Sequence, residues 1–174
     1  MVNIFAESTS PRLLFILDHI FNQTFKTGYR LFDDAEELKR EGRPFINYSA
    51  DASIGGLQII PSALLFETGV RLVPAFRRED NGTDRLILDS ESAGFDLFAS
   101  CFFLLTRYEE YFHPKTDRHG RIIPETTWQG RENLVRLPLV DIWLNELAGK
   151  LNTDFGLDIR KPAFESLSTI DLDF

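Results

Sequence analysis

Asp96-Leu97-Phe98-Ala99-Ser100-Cys101-Phe102-Phe103-Leu104-Leu105-Thr106-Arg107-Tyr108-Glu109-Glu110-Tyr111-Phe112 is the most apolar stretch of the chain. Its apolar residues cover more than one face of a helix, which predicts a helix over 96–112 packed on two sides. From Leu97 to Leu105 the run is interrupted by Ser100 and reaches about half the length of a membrane span, so it reads as a central core helix. A helix buried on two sides needs layers above and below it. On the N-terminal side, Ser10-Pro11 is a helix start, Ser capping the free N–H groups and Pro taking the first helical position. Leu13, Leu14, Leu17, Ile20 and Phe21 then recur at helical spacing, and this helix is expected to end before Gly28. On the C-terminal side, Pro138 opens a third helix with Leu139, Ile142, Trp143, Leu147 and Leu151 on its buried face.

Between these helices lie short β-prone runs at 29–32, 45–48 and 57–60, the last ended by Pro61. The charged stretch Asp33-Asp34-Ala35-Glu36-Glu37-Leu38-Lys39-Arg40-Glu41 reads as a solvated turn or one helical turn. Runs at 70–76 and 85–88 flank Asn81-Gly82, a pair that readily supplies positive φ, and predict a long-looped hairpin weakened by Pro74. Residues 113–137, rich in Gly, Pro, Arg and Asp, predict a long ordered loop with one short strand. The tail at 167–174 is β-type in composition. The expected architecture is a single α/β domain with a mixed sheet flanked by about three helices.

Composition bounds the function. The chain has 174 residues, 43% of them hydrophobic, with 16 Phe, which is enough for one core and argues against disorder. A formal net charge of −8 argues against nucleic acid and anionic lipid as partners, since both require a basic face. The opening Met1-Val2-Asn3-Ile4-Phe5-Ala6-Glu7 lacks the basic region of a secretory leader, so a cytoplasmic location is expected. A single Cys excludes an internal disulfide, and Cys101 sits in the apolar helix, where a buried inert thiol is expected.

Several constellations carry chemistry on paper. His113 and His119 flank Asp117, a spacing that fits no common zinc pattern, and His19 falls in the first helix, where a surface or capping role is expected. Glu109 and Glu110 are adjacent, and neighbours on a helix point about 100° apart, so a structural role with Arg107 is favoured over an acid and base pair. Asp33 or Asp34 with Glu37-Leu38-Lys39 has the residue types by which restriction-endonuclease-like enzymes hold Mg²⁺ and activate water. That triplet is common by chance and sits here in a charged connection rather than on a strand. Trp128, Tyr108, Tyr111 and Trp143 could present rings to sugars, with Trp128 in the long loop and Tyr108 as the substrate-binding candidates of a carbohydrate-binding module.

Thr169-Ile170-Asp171-Leu172-Asp173 resembles the opening strand of the NodB-type polysaccharide deacetylase domain. The upstream blocks resemble the uncharacterised N-terminal domain that precedes it in a group of bacterial proteins. These are Phe45-Ile46-Asn47-Tyr48-Ser49, Pro61-Ser62-Ala63-Leu64-Leu65-Phe66-Glu67, Phe95-Asp96-Leu97-Phe98-Ala99, Thr106 to Tyr111, Asp117-Arg118-His119-Gly120-Arg121 and Leu137-Pro138-Leu139-Val140-Asp141 with Trp143. The resemblance implies an accessory domain at 1–166 followed at 167–174 by the first strand of a deacetylase domain. It implies that Asp171 is the general base and Asp173 a metal ligand in a longer parent protein, where zinc or another divalent metal is expected. This chain lacks the His-x-x-x-His and later motifs of that family, so no cofactor is expected in it and it should not deacetylate by itself. The implied partners are the downstream deacetylase domain and a glycan, with self-association through an apolar face left uncovered.

Overall fold

Val2-Asn3-Ile4-Phe5-Ala6, a run with no period-two alternation, forms strand β1 (Val2–Ala6), and every one of its residues is buried. Parallel strands covered on both faces read as continuous apolar runs, so the missing alternation is what such a strand looks like in sequence. The computed structural model describes residues 1–91, 93–112, 115–160 and 166–170. β1 pairs in parallel with β2 (Tyr29–Phe32) on one side and β3 (Phe45–Tyr48) on the other, and β4 (Leu57–Gln58) completes the order β2-β1-β3-β4. The run expected at 57–60 thus narrows to two residues, although Ile59 still donates its N–H to the Asn47 carbonyl at 2.9 Å.

Helices cover both faces of this sheet. Val2, Ile4 and Ala6 point into the main core with helix α1 (Pro11–Leu17), while Phe5, on the opposite face, packs with Phe32 and with Leu38 of α2 (Ala35–Arg40). α1 starts as expected, the Ser10 hydroxyl accepting from Leu13 N–H at 3.0 Å, and continues as a seven-residue π-helical stretch, Asp18–Thr24. Leu13, Ile16, Leu17 and Ile20 form its buried stripe. Leu14, expected in that stripe, is 44% exposed, because it lies about 100° around the helix from Leu13. The charged stretch forms α2, capped by the Asp34 carboxylate, which accepts from Glu36 N–H at 2.8 Å and Glu37 N–H at 3.2 Å.

The antiparallel pairing sits apart, in the hairpin of β5 (Ala75–Asp80) and β6 (Thr83–Leu88). Its loop is short where a long one was expected: Asp80 pairs with Thr83, and Asn81 (φ 51°) and Gly82 (φ 75°) alone make the turn. Positive φ at both positions gives the primed turn whose twist matches the strands, so pairing extends through the charged residues up to the tip.

Helix α3 (Leu97–Leu105) is the central helix, with every residue from Leu97 to Phe103 buried. It stops well before Phe112. Arg107 adopts left-handed φ 51°, and Tyr108–Tyr111 turns once as a 3-10 helix. The excursion that follows holds an isolated bridge between Thr116 and Ile122, a 3-10 turn at Pro124–Thr126 and the short helix α4 (Trp128–Arg131). α5 (Leu139–Phe155) then packs Leu139, Trp143, Leu144, Leu147 and Leu151 inward and ends at Gly156, φ 65°. The main core runs from Val2 to Ile159, with the smaller Phe5, Phe32 and Leu38 cluster on the other face of the sheet. The chain is an α/β domain whose parallel pairings lie in the four-stranded sheet and whose antiparallel ones lie in the hairpin and the Thr116–Ile122 bridge, flanked by α1, α3 and α5 with two short helices. Residues 166–170 carry no helix or strand.

Candidate functional site

In a sheet of this order the chain reverses direction between β1 and β3, and the carboxyl ends of those strands form the crevice where such folds usually take ligands. Here the chain fills that crevice itself. Leu64 and Leu65 are fully buried over it, the Ser10 hydroxyl donates to the Leu65 carbonyl, and the Arg12 guanidinium donates to the carbonyls of Leu64, at 2.7 Å, and Gly69. Asp96 locks this cover in place. Its carboxylate accepts from Ser62 N–H at 2.7 Å, from the Tyr48 hydroxyl at 2.8 Å and, as the cap of α3, from Ala99 N–H at 3.1 Å. Burial pushes the Asp96 carboxyl up to about 6 against the pull of those hydrogen bonds, and pushes the Tyr48 hydroxyl well up.

A wide opening lies instead where the chain leaves α3. A cleft of about 620 Å³ has Val73, Phe103 and Ile122 among its apolar residues and Glu109, Lys115 and Arg131 among its charged ones. The left-handed Arg107 turns the following residues so that the Tyr108 ring packs against Phe102, Phe103 and Phe112, and its hydroxyl accepts from Arg71 N–H at 3.1 Å. Glu109 then reaches the start of α4, where both carboxylate oxygens accept from Trp128 N–H at 2.9 and 2.8 Å. Burial pushes the Glu109 carboxyl up, and the Trp128 N–H and the Arg131 guanidinium partly offset that. Glu110 turns to Arg107, 2.7 Å away. The two neighbouring carboxylates therefore hold separate partners, the structural role favoured by their spacing. What remains open is an apolar floor with charged walls, suited to docking a surface rather than to an acid and base pair acting on one atom.

The other residues singled out by sequence fall as follows. Trp128 is 0% exposed and Tyr108 3% exposed, so neither offers a ring face to a sugar. This corrects the expectation that Trp128 is an accessible loop residue: as the first residue of α4 it turns into the core, and both candidate sugar-binding residues are core residues. Trp143 is likewise buried, its indole N–H donating to the Asp84 carbonyl at 2.7 Å. Asp34, Glu37 and Lys39 belong to a surface helix, not a strand. Asp34 is spent on the cap, Glu37 pairs with Arg30 at 3.2 Å and Lys39 with Glu36 at 3.3 Å. Asp117 accepts from the backbone N–H groups of His119 and Arg121, and the His119 ring accepts from Arg118 at 2.9 Å. His113, Asp171 and Asp173 lie outside the described residues. Cys101 is buried and its thiol pushed up, as an inert core thiol should be. Among the described residues no group of three or more His, Cys, Asp or Glu could hold a metal. No helix among them is long and apolar enough to cross a membrane. Sequence reading missed Asp96 as the centre of a network, although a carboxylate directly ahead of an apolar helix is a capping signal.

A family model described as a family of unknown function, DUF7033, matches residues 2–156. No curated protein and no solved structure matches the chain.

Proposed function

The chain belongs to the DUF7033 family, whose function is unknown, and from that premise we propose that residues 1–166 are an accessory domain that docks on and positions a polysaccharide deacetylase domain. The observation that carries this reading is the state of the tail. The folded body closes at Ile159, whose N–H donates to the Asn152 side chain at 2.8 Å while its carbonyl accepts from the same amide at 2.9 Å. Leu167 and Ile170, β-prone and apolar, then stand 90% and 85% exposed, with no strand beside them among the described residues. Apolar residues in that state favour a partner layer of their own, and Thr169-Ile170 opens the segment that resembles the first strand of the deacetylase domain. The cleft beside Glu109, with Leu72 70% exposed at its edge, supplies an apolar face on which such a domain can seat. Left uncovered, the same face would draw two copies together.

In this reading Asp171 serves as the general base and Asp173 as a metal ligand only within the longer protein, where further ligands complete a site for zinc or another divalent metal. The test is the mass of the native product in its source cells, detected with antibody raised against this domain. A band well above 20.0 kDa is expected. In that longer protein Asp171→Asn should abolish release of acetate from acetylated glycan. A band at 20.0 kDa, or undiminished acetate release by the variant, would overturn the reading.

A further inference from the structure

β4 is the last strand of the parallel sheet, and between it and the tip of the β5–β6 hairpin lies a slot of about 150 Å³. Gln58 of β4, Asp80 and Arg85 of the hairpin, and Glu146 and Lys150 of α5 supply its polar lining. Arg85 is only 8% exposed, and its guanidinium lies over the Phe95 ring, 4.8 Å from the centroid. Its donors are unevenly used. Nη1 is held by Glu146 at 2.7 Å, Nη2 stands 3.8 Å from Asp80, beyond hydrogen-bond reach, and Nε is buried with no partner. Nε and Nη2 form one edge of the planar guanidinium, the edge that carboxylates take with two parallel hydrogen bonds.

The acids already present are otherwise engaged. Glu146 also accepts from the Thr83 hydroxyl at 2.7 Å, and Asp80 accepts from the Asn81 amide at 3.0 Å. Lys150 follows Trp143, Glu146 and Leu147 on one face of α5, as the i, i+3, i+4 and i+7 spacing requires, and its ammonium has no partner among the described residues. The slot is thus lined by an arginine whose buried Nε is left without a partner, with a free cation at the rim, beside apolar walls from Trp143 and Leu147.

We propose that this slot is a carboxylate-binding site, in which the Nε edge of Arg85 and the Lys150 ammonium receive one carboxylate group. An unmet buried guanidinium donor forfeits the hydrogen bond it had in water, and a carboxylate restores it. The group comes either from a small free acid or from an acidic side chain in an extended segment. For the second source the backbone is ready: Ile59 bonds toward β3, so the N–H and C=O of Gln58 point to the open edge of the sheet.

The intact chain is titrated with N-acetylglutamate, with uncharged N-acetylglutamine and with a capped tripeptide bearing a central glutamate. The Arg85 Nε–Hε signal is followed by nitrogen–proton NMR at low salt. A saturable shift with the acid and none with the amide is expected. Lys150→Gln, an exposed change that leaves the fold alone, should weaken binding about threefold, and Arg85→Lys, which keeps the cation but removes the two-donor edge, should abolish the saturable shift of the Trp143 indole N–H signal at the slot wall, the probe that wild type and this variant share. A non-saturating drift common to acid and amide, or equal affinity of wild type and Lys150→Gln, overturns the proposal. Binding of the tripeptide about tenfold tighter than the free acid assigns the source to an acidic strand at the edge of β4, and equal binding assigns it to a free carboxylate.

Discussion

Asp96 and Arg85 are both more than nine-tenths buried, yet their surroundings treat charge in opposite ways. Asp96 is closed: three donors from three separate segments converge on it, and the crevice it guards is filled by the chain's own residues 61–69. Arg85 is open: one firm ion pair, one long approach and one donor with nothing to bind, beside a slot. A saturated buried charge fixes a fold, because every group around it depends on it. An unsaturated one has capacity left for a ligand. The place where folds of this class usually bind is therefore structural here, and the unmet donor lies at the edge of the sheet instead.

The contrast can be broken most directly at Asp96. Asp96→Ala strands two backbone N–H groups and the Tyr48 hydroxyl in the core and should cost about 3–5 kcal/mol in urea unfolding. A loss below about 1 kcal/mol would show that the network is dispensable. Next comes pH. With the folded carboxyl raised to about 6 and the unfolded one near 3.9, the folded state holds a proton that the unfolded state has released across that window. This group's contribution to stability is therefore full below about pH 4 and falls by on the order of 3 kcal/mol as pH rises through 6. Stability measured against Asp96→Asn across pH 4 to 7 should show that slope, and parallel curves would refute it.

Arg85→Met should cost no more than about 1 kcal/mol, since Glu146 and Asp80 reach solvent and an incompletely met guanidinium gives up its desolvation penalty. A loss as large as that of Asp96→Ala would erase the distinction between the two sites. The smallest effect belongs to Lys150→Gln, within about 0.5 kcal/mol in thermal unfolding, because the residue is exposed and makes no contact that the fold uses.

Much of the fold is legible where the signal is local. Ser10 caps the helix that follows it, and Asn81-Gly82 turns a hairpin. Where the reading failed, distant contacts decided. β1 lacks alternation because helices cover both of its faces, so a period-two search passes over the central strand. The helix expected to run to Phe112 breaks at Arg107 because the Tyr108 ring gains a place in the core against Phe102 and Phe103 by turning inward. Trp128 looks like an exposed loop aromatic until its N–H is seen capped by Glu109, nineteen positions away in sequence.

By itself the sequence determined the class of the domain, the helix starts, the turn residues and the inert thiol, since these follow from interactions within a few residues. The tertiary structure alone decided the strand order, the filling of the crevice by residues 61–69 and the half-used guanidinium of Arg85. Each of those depends on which remote groups arrive within hydrogen-bond reach, and no local pattern records that.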